Sequence, residues 1–183
     1  TNNTVQDAFY RGMELISFQG LKVEGNEINS ISQYGAIRHL GISNADGAMQ
    51  VSNNRISSSS GDGIYIQNSS ASSEAPAIIS NNFIQSPLTL SNTSYQNVFH
   101  NTVSSQYGSF SYITGGSSNG NRVVNNLFRS ELARVVYFSQ LTGLEEINYN
   151  GYYTNGSTLG NLGGFQNATD LTSLRNITGQ DTH

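Results

Sequence analysis

The chain has 183 residues, no cysteine, 11% charged residues and a formal net charge of −4. The lack of cysteine excludes a disulfide framework or thiolate metal site, and 12 Asp and Glu against 8 Lys and Arg leave no basic footprint for nucleic acid. No stretch approaches the ~20 apolar residues of a membrane span, no basic and apolar leader opens the chain, and the wealth of Asn, Ser, Thr and Gly argues against a helix-rich globule.

The first apolar segment, Gly12-Met-Glu-Leu15, is followed by a β-branched residue, two variable residues and Asn, as Val23-Glu-Gly-Asn26, with Ile28 two residues further on. The same succession recurs down the chain. Gly35-Ala-Ile-Arg38 precedes Val51-Ser-Asn-Asn54 and Ile56, and Gly63-Ile-Tyr-Ile66 precedes Ile79-Ser-Asn-Asn82 and Ile84. Pro87-Leu-Thr-Leu90 precedes Val98-Phe-His-Asn101 and Val103, and Ser109-Phe-Ser-Tyr112 precedes Val123-Val-Asn-Asn126 and Phe128. Val135-Val-Tyr-Phe138 precedes Ile147-Asn-Tyr-Asn150 and Tyr152. Successive asparagines lie 28 (26 to 54), 28 (54 to 82), 19 (82 to 101), 25 (101 to 126) and 24 (126 to 150) residues apart. The segments alternate in twos between Gly, Ser and Asn, the signature of short strands rather than helices. At least two strands per period make one coil of a solenoid, each strand pairing with its equivalent in the next coil. The tail, residues 156–183, does not repeat; Asp170 or Thr169 can cap a helix there and Gly179 can end it.

The turns Asn53-Asn-Arg-Ile56, Asn81-Asn-Phe-Ile84 and Asn125-Asn-Leu-Phe128 resemble those of the right-handed parallel β-helix family, the pectate-lyase-like superfamily of pectate lyases, polygalacturonases and many secreted repeat proteins. The stretch Ile147-Asn-Tyr-Asn-Gly-Tyr-Tyr-Thr-Asn155, then Asp170-Leu-Thr-Ser-Leu-Arg and Thr178-Gly-Gln-Asp-Thr-His183, is similar to the C-terminal part of large bacterial extracellular β-helix proteins. The resemblance implies an all-β, right-handed parallel β-helix of about six coils over residues 10–155, a short tail with one helix, and an extracellular or cell-surface location. It also implies one domain cut from a longer chain.

Alignment on the repeat asparagines sets equivalent positions about 4.8 Å apart in neighbouring coils. Glu27 then meets Arg55, and Arg122 meets Glu146, as register-keeping opposite charges. Asn26, Asn54, Asn82, Asn101, Asn126 and Asn150 read as structural turn residues, tolerant of the left-handed conformation and able to stack as an inward amide ladder. His100 takes an amide's place in a neighbouring column. Phe99 with Val124, and Phe83 with Leu127, form outward columns too apolar for open solvent, and the tail is the expected cover, with a partner or further domain as the alternative.

A β-elimination lyase on this fold needs acidic Ca²⁺ ligands and a basic residue, and a glycosidase needs two or three carboxylates close together. The acids here form no column. The nearest reactive cluster is Arg38, His39, Asp62 and Tyr65, with Arg38 and Tyr65 at nearly equivalent places in their coils. Tyr65 and Tyr137 offer flat, hydroxyl-bearing faces suited to sugar rings. These features favour a non-catalytic module that binds polysaccharide or the remaining domains of its own protein. The alternative is a catalytic lyase or glycosidase domain with Arg38, His39 and Asp62 as candidates. No cofactor is expected, except Ca²⁺ for a lyase, and no metal site.

Overall fold

A computed structural model describes residues 1–7, 11–29, 38–57, 61–114 and 118–181. The chain winds as coils of three short strands: β1 (Thr4–Gln6), β2 (Arg11–Ile16) and β3 (Lys22–Glu24); β4 (Glu27–Asn29), β5 (Arg38–Ser43) and β6 (Gln50–Ser52); β7 (Arg55–Ser57), β8 (Asp62–Gln67) and β9 (Ala77–Ser80). It continues as β10 (Phe83–Gln85), β11 (Leu88–Ser91) and β12 (Gln96–Phe99); β13 (Thr102–Ser105), β14 (Phe110–Ile113) and β15 (Asn121–Val124); β16 (Leu127–Ser130), β17 (Val136–Phe138) and β18 (Leu144–Asn148). A partial last coil holds β19 (Gly151–Thr154) and β20 (Gly160–Leu162), followed by β21 (Gln166–Ala168) and helix α1 (Leu171–Thr178).

Three sheets result. The first runs β1-β4-β7-β10-β13-β16-β19, the second β2-β5-β8-β11-β14-β17-β20 with β21 antiparallel at its end, and the third β3-β6-β9-β12-β15-β18; all other pairings are parallel. This is the solenoid of about six coils that the repeat demands, with three strands per coil where the sequence marks at least two. The repeat's β-branched residues fill the interior from the third sheet (Val51, Ile79, Val98), and the apolar residue after each Asn fills it from the first (Ile28, Ile56, Ile84, Val103, Phe128). Each such side chain contributes about 1.5–3 kcal/mol by leaving water. Towards the C-terminal end aromatic rings take over, with Phe128 stacked on Tyr152 at 6.0 Å and Phe110 5.3 Å from Phe128.

The second sheet departs from simple alternation. Two consecutive amides point at one carbonyl of the next coil: those of Gly63 and Ile64 at Pro87, of Ser109 and Phe110 at Val135, and of Val135 and Val136 at Leu159. The kink is bulge-like and stacks from coil to coil, turning two neighbouring side chains inward. Here the sequence alignment needs correction. Leu40 pairs with Ile64, so the second coil's segment is Arg38–Ser43 rather than Gly35-Ala-Ile-Arg38, of which residues 35–37 lie outside the described residues.

The corner between the third and first sheets carries the ladder. Asn3, Asn26, Asn54, Asn82, Asn101 and Asn126 each donate both backbone N–H and side-chain Nδ2 to the Oδ1 of the next coil's Asn, ending at Asn150, over 2.8 to 3.1 Å. The second Nδ2 hydrogen reaches back to the third sheet, as from Asn82 to Val51 O at 3.0 Å and from Asn126 to Val98 O at 3.0 Å. The left-handed residue is not the ladder Asn, as the sequence suggests, but the one before it: Asn2, Gly25, Asn53, Asn81, His100, Asn125 and Tyr149 all have positive φ.

The tail ends this ladder instead of covering the outward apolar columns. Helix α1 has the expected caps, Asp170 in a capping box with Ser173 and Gly179 left-handed at its C-terminus, and Leu174 buries itself at the end of the second sheet. Phe83 and Leu127 stay 39% and 50% exposed. Past the helix, Gln180 Oε1 accepts the Ile147 N–H, and the buried Asp181 carboxylate accepts from the Asn150 N–H at 3.3 Å and from the Tyr152 hydroxyl. A carboxylate only accepts, so Asp181 fills the next ladder position without leaving a donor that needs a further coil. The charge columns are in the expected register. Arg122 Nε donates to Glu146 at 2.9 Å, whereas the guanidinium of Arg55 lies 5.4 Å from the Phe83 ring and Glu27 accepts from Asn29.

Asn101→Ala removes the acceptor of two buried Asn82 donors, so urea unfolding should show a loss of about 3 kcal/mol. Asp181→Ala should leave the coils folded and release the tail, seen as proteolytic cleavage after residue 162 at protease levels that spare the parent chain.

Candidate functional site

The stacked kink decides what the outer face of the second sheet displays. Because it turns His39 and Leu40 both inward, Arg38 precedes the kink on the outer side, as Asp62 does one coil on, and Arg38 and Asp62 are register partners. His39 is fully buried, in a column where a Cβ on Gly12 or Gly63 would meet the core side chains of Ile28 or Ile84. The structure therefore places His39 beneath the face, apart from Arg38, Asp62 and Tyr65. Tyr65 pairs with Gly41, not with Arg38, which settles the register that the sequence leaves open.

Arg38 nevertheless reaches Tyr65, because Gly41 offers no side chain between them. Its guanidinium carbon sits 3.7 Å from the centre of the Tyr65 ring, its Nη2 donates to Gln67 at 3.4 Å, and its Nη1 lies 3.9 Å from Glu14 Oε1. Arg11 holds the same Glu14 oxygen at 3.1 Å. The other oxygen, Glu14 Oε2, is buried without a hydrogen-bond partner and fills the space a Cβ on Gly41 would need. Asp62 accepts from the Thr89 hydroxyl at 2.8 Å. Burial pushes its carboxyl above the ordinary 3.8, opposed by the Thr89 hydrogen bond and the charges of Arg38 and His39.

Glu14 is the residue that sequence reasoning missed. It was one of the scattered acids, and the acids indeed share no column: Glu14 belongs to the Gly41–Tyr65 column and Asp62 to the Arg38 column. Arg38 links the two. The usable signal is the common spacing, since Glu14 follows Gly12 by two residues as Tyr65 follows Gly63. Two guanidiniums beside the Glu14 carboxylate make it a poor seat for Ca²⁺, and among the described residues no three His, Cys, Asp or Glu side chains converge on a metal position.

The outward column runs Glu14, Gly41, Tyr65, Thr89, Ser111, Tyr137, Asn161. Tyr137 repeats the arrangement at Tyr65, with the Arg134 guanidinium 4.7 Å from its ring centre. The two tyrosines are three strands apart, roughly 14 Å, with only the small Thr89 and Ser111 between them. The ladder asparagines lie at a different corner, with Asn26, Asn54, Asn82, Asn101 and Asn126 buried and hydrogen-bonded to one another, and take no part in this face. No helix among the described residues is long and apolar enough to cross a membrane.

No protein-family model matches the chain, and searches of curated proteins and of solved structures find no significant match. Asp62→Asn keeps an acceptor for Thr89 and removes a charge that burial disfavours. The raised carboxyl is destabilising when ionised, above its folded pKa, and this cost disappears as pH falls and the group takes up a proton. The variant should therefore melt higher than the parent at pH 7, and the difference should shrink towards acid pH in a thermal-melt series.

Proposed function

We propose that the chain is a glycan-binding β-helix module of the pectate-lyase-like kind, acting outside the cell, with the outer face of the second sheet as its binding surface. One observation carries this reading: two tyrosine rings, each with an arginine over it, stand on a single outward column with only the small side chains of Thr89 and Ser111 between them. Aromatic faces take the apolar side of a sugar ring, and the flanking guanidiniums and Ser111 supply hydrogen bonds to its rim. The arginines favour a polysaccharide with acidic groups. A rigid parallel sheet holds both stations at a fixed spacing, which limits the entropy lost on binding an extended chain.

A second reading, that the face is catalytic, is favoured by Asp62 with its raised carboxyl and by Glu14 on the far side of Arg38. Their strands are two spacings apart, roughly 10 Å, and their positions are offset by three residues along the strand, so the backbone sets them wider than a retaining carboxylate pair.

Affinity electrophoresis in gels containing polygalacturonate or alginate tests the binding reading. Retardation should be clear for the parent chain and weakened about tenfold in Tyr65→Ala, the loss of one stacking station; no retardation by either acidic polymer refutes it. Release of reducing or unsaturated ends from these polymers, lost in Glu14→Ala and in Asp62→Ala, would establish the catalytic reading instead.

A further inference from the structure

We infer that the opposite corner of the solenoid carries a second ligand site, a groove between the fourth and sixth coils that takes a neutral saccharide. The groove lies on the outside of the ladder corner. One part, of about 210 Å³, is lined by Phe99 and Arg122 on the third sheet and by His100 and Asn125 at the corner. A second part, of about 420 Å³, shares His100 and Asn125 and continues over Leu127 on the first sheet and Tyr149 at the corner. The two parts meet at His100 and Asn125 on the corner.

These side chains depart from the residues that the same positions carry in other coils. In the outward column of the third sheet, Phe99 stands where the two preceding coils have Ser80 and Ser52. In the left-handed column, where Gly25, Asn53, Asn81 and Asn125 meet the backbone's need, two residues differ: His100 with φ 56 and Tyr149 with φ 56. A left-handed tyrosine is a strained choice, since Asn or Gly adopts that conformation more readily. Strain of this kind concentrates where a side chain is wanted for something besides folding. Tyr149 is 52% exposed and Leu127 50% exposed, while Phe99 packs edge-on against His100 at 5.2 Å. The corner thus presents apolar and aromatic surface interleaved with an imidazole and amides.

Charge separates this groove from the tyrosine–arginine face. Among the described residues lining it, Arg122 is the single Arg, Lys, Asp or Glu, and its guanidinium is bound to Glu146. A ligand here meets ring faces and neutral hydrogen-bonding groups, which suits a hydroxylated ring without formal charge, apolar on its face and polar at its rim. The site goes beyond the function proposed above and stands on separate residues. With both occupied, one module would hold two glycan chains on opposite sides of the solenoid.

Isothermal titration of the full chain with cellohexaose, xylohexaose, mannohexaose and laminarihexaose, together with thermal melts, tests the site. At least one neutral hexasaccharide should bind. Its affinity should fall about tenfold in Phe99→Ala and several-fold in Tyr149→Asn, with Tyr65→Ala leaving it unchanged. Tyr149→Asn installs the residue this backbone prefers, so its melting temperature should hold or rise while binding falls. Three results would each overturn the site: no binding by any of the four sugars, a Tyr149→Asn chain that is stabilised with unaltered affinity, or loss of the same binding in Tyr65→Ala.

Discussion

The corner between the third and first sheets turns tightly around buried backbone groups, and every one of them must find a hydrogen-bond partner out of reach of water. Asparagine meets this need because its short side chain carries one acceptor and two donors. Its oxygen takes the amide and the Nδ2 of the coil before, and its own Nδ2 serves both the coil after and the back of the third sheet. Serine lacks the second donor and aspartate lacks both. The constraint passes unbroken from Asn3 to Asn150, and it sets coil on coil in one register. Asp181 shows the same rule at its limit, since an acceptor without donors is what the last position in such a ladder requires.

A corner held this way leaves the rest of each coil free to vary. The distance between ladder residues falls from 28 to 19 residues across the fourth coil, and the difference is absorbed in turns while the strands keep their pairing. Outward positions carry little of the folding load, so they are where function can be written. Both candidate surfaces are departures from the small polar residues that suffice elsewhere. On the second sheet the departure is tyrosine with arginine above it, and at the ladder corner it is Phe99, His100 and Tyr149. They differ in charge: at the corner Arg122 is bound to Glu146, whereas on the second sheet Arg38 lies over the Tyr65 ring beside Glu14 and Arg134 lies over the Tyr137 ring.

Much of the candidate site was legible from residue order. Arg38, Asp62 and Tyr65 do meet on one face, and Tyr137 shares the column of Tyr65. Glu14 escaped notice because its link to Asp62 runs through Arg38, across a glycine whose only contribution is missing bulk. His39 lies beneath that face because the stacked kink turns it inward together with Leu40. Arg134 was invisible for a related reason, since it lies in a turn whose length is not periodic and only its position over the Tyr137 ring gives it a role.

What the sequence by itself determined is whatever repeats or is local: the parallel solenoid, the amide ladder, the inward apolar rows, the register of the charged columns, and a helix capped by Asp170 and Gly179. Each follows from a pattern within a few residues, or from one pattern laid on its own copy. Only the tertiary structure decided which way the kink throws Arg38 and His39, which acid Arg38 reaches, and where the tail goes. The tail closes the end of the stack because Leu174 and Asp181 fill places the last coil leaves open, not because an apolar stripe elsewhere awaits cover. Those outcomes depend on turn lengths and on space between coils, neither of which has a period to read.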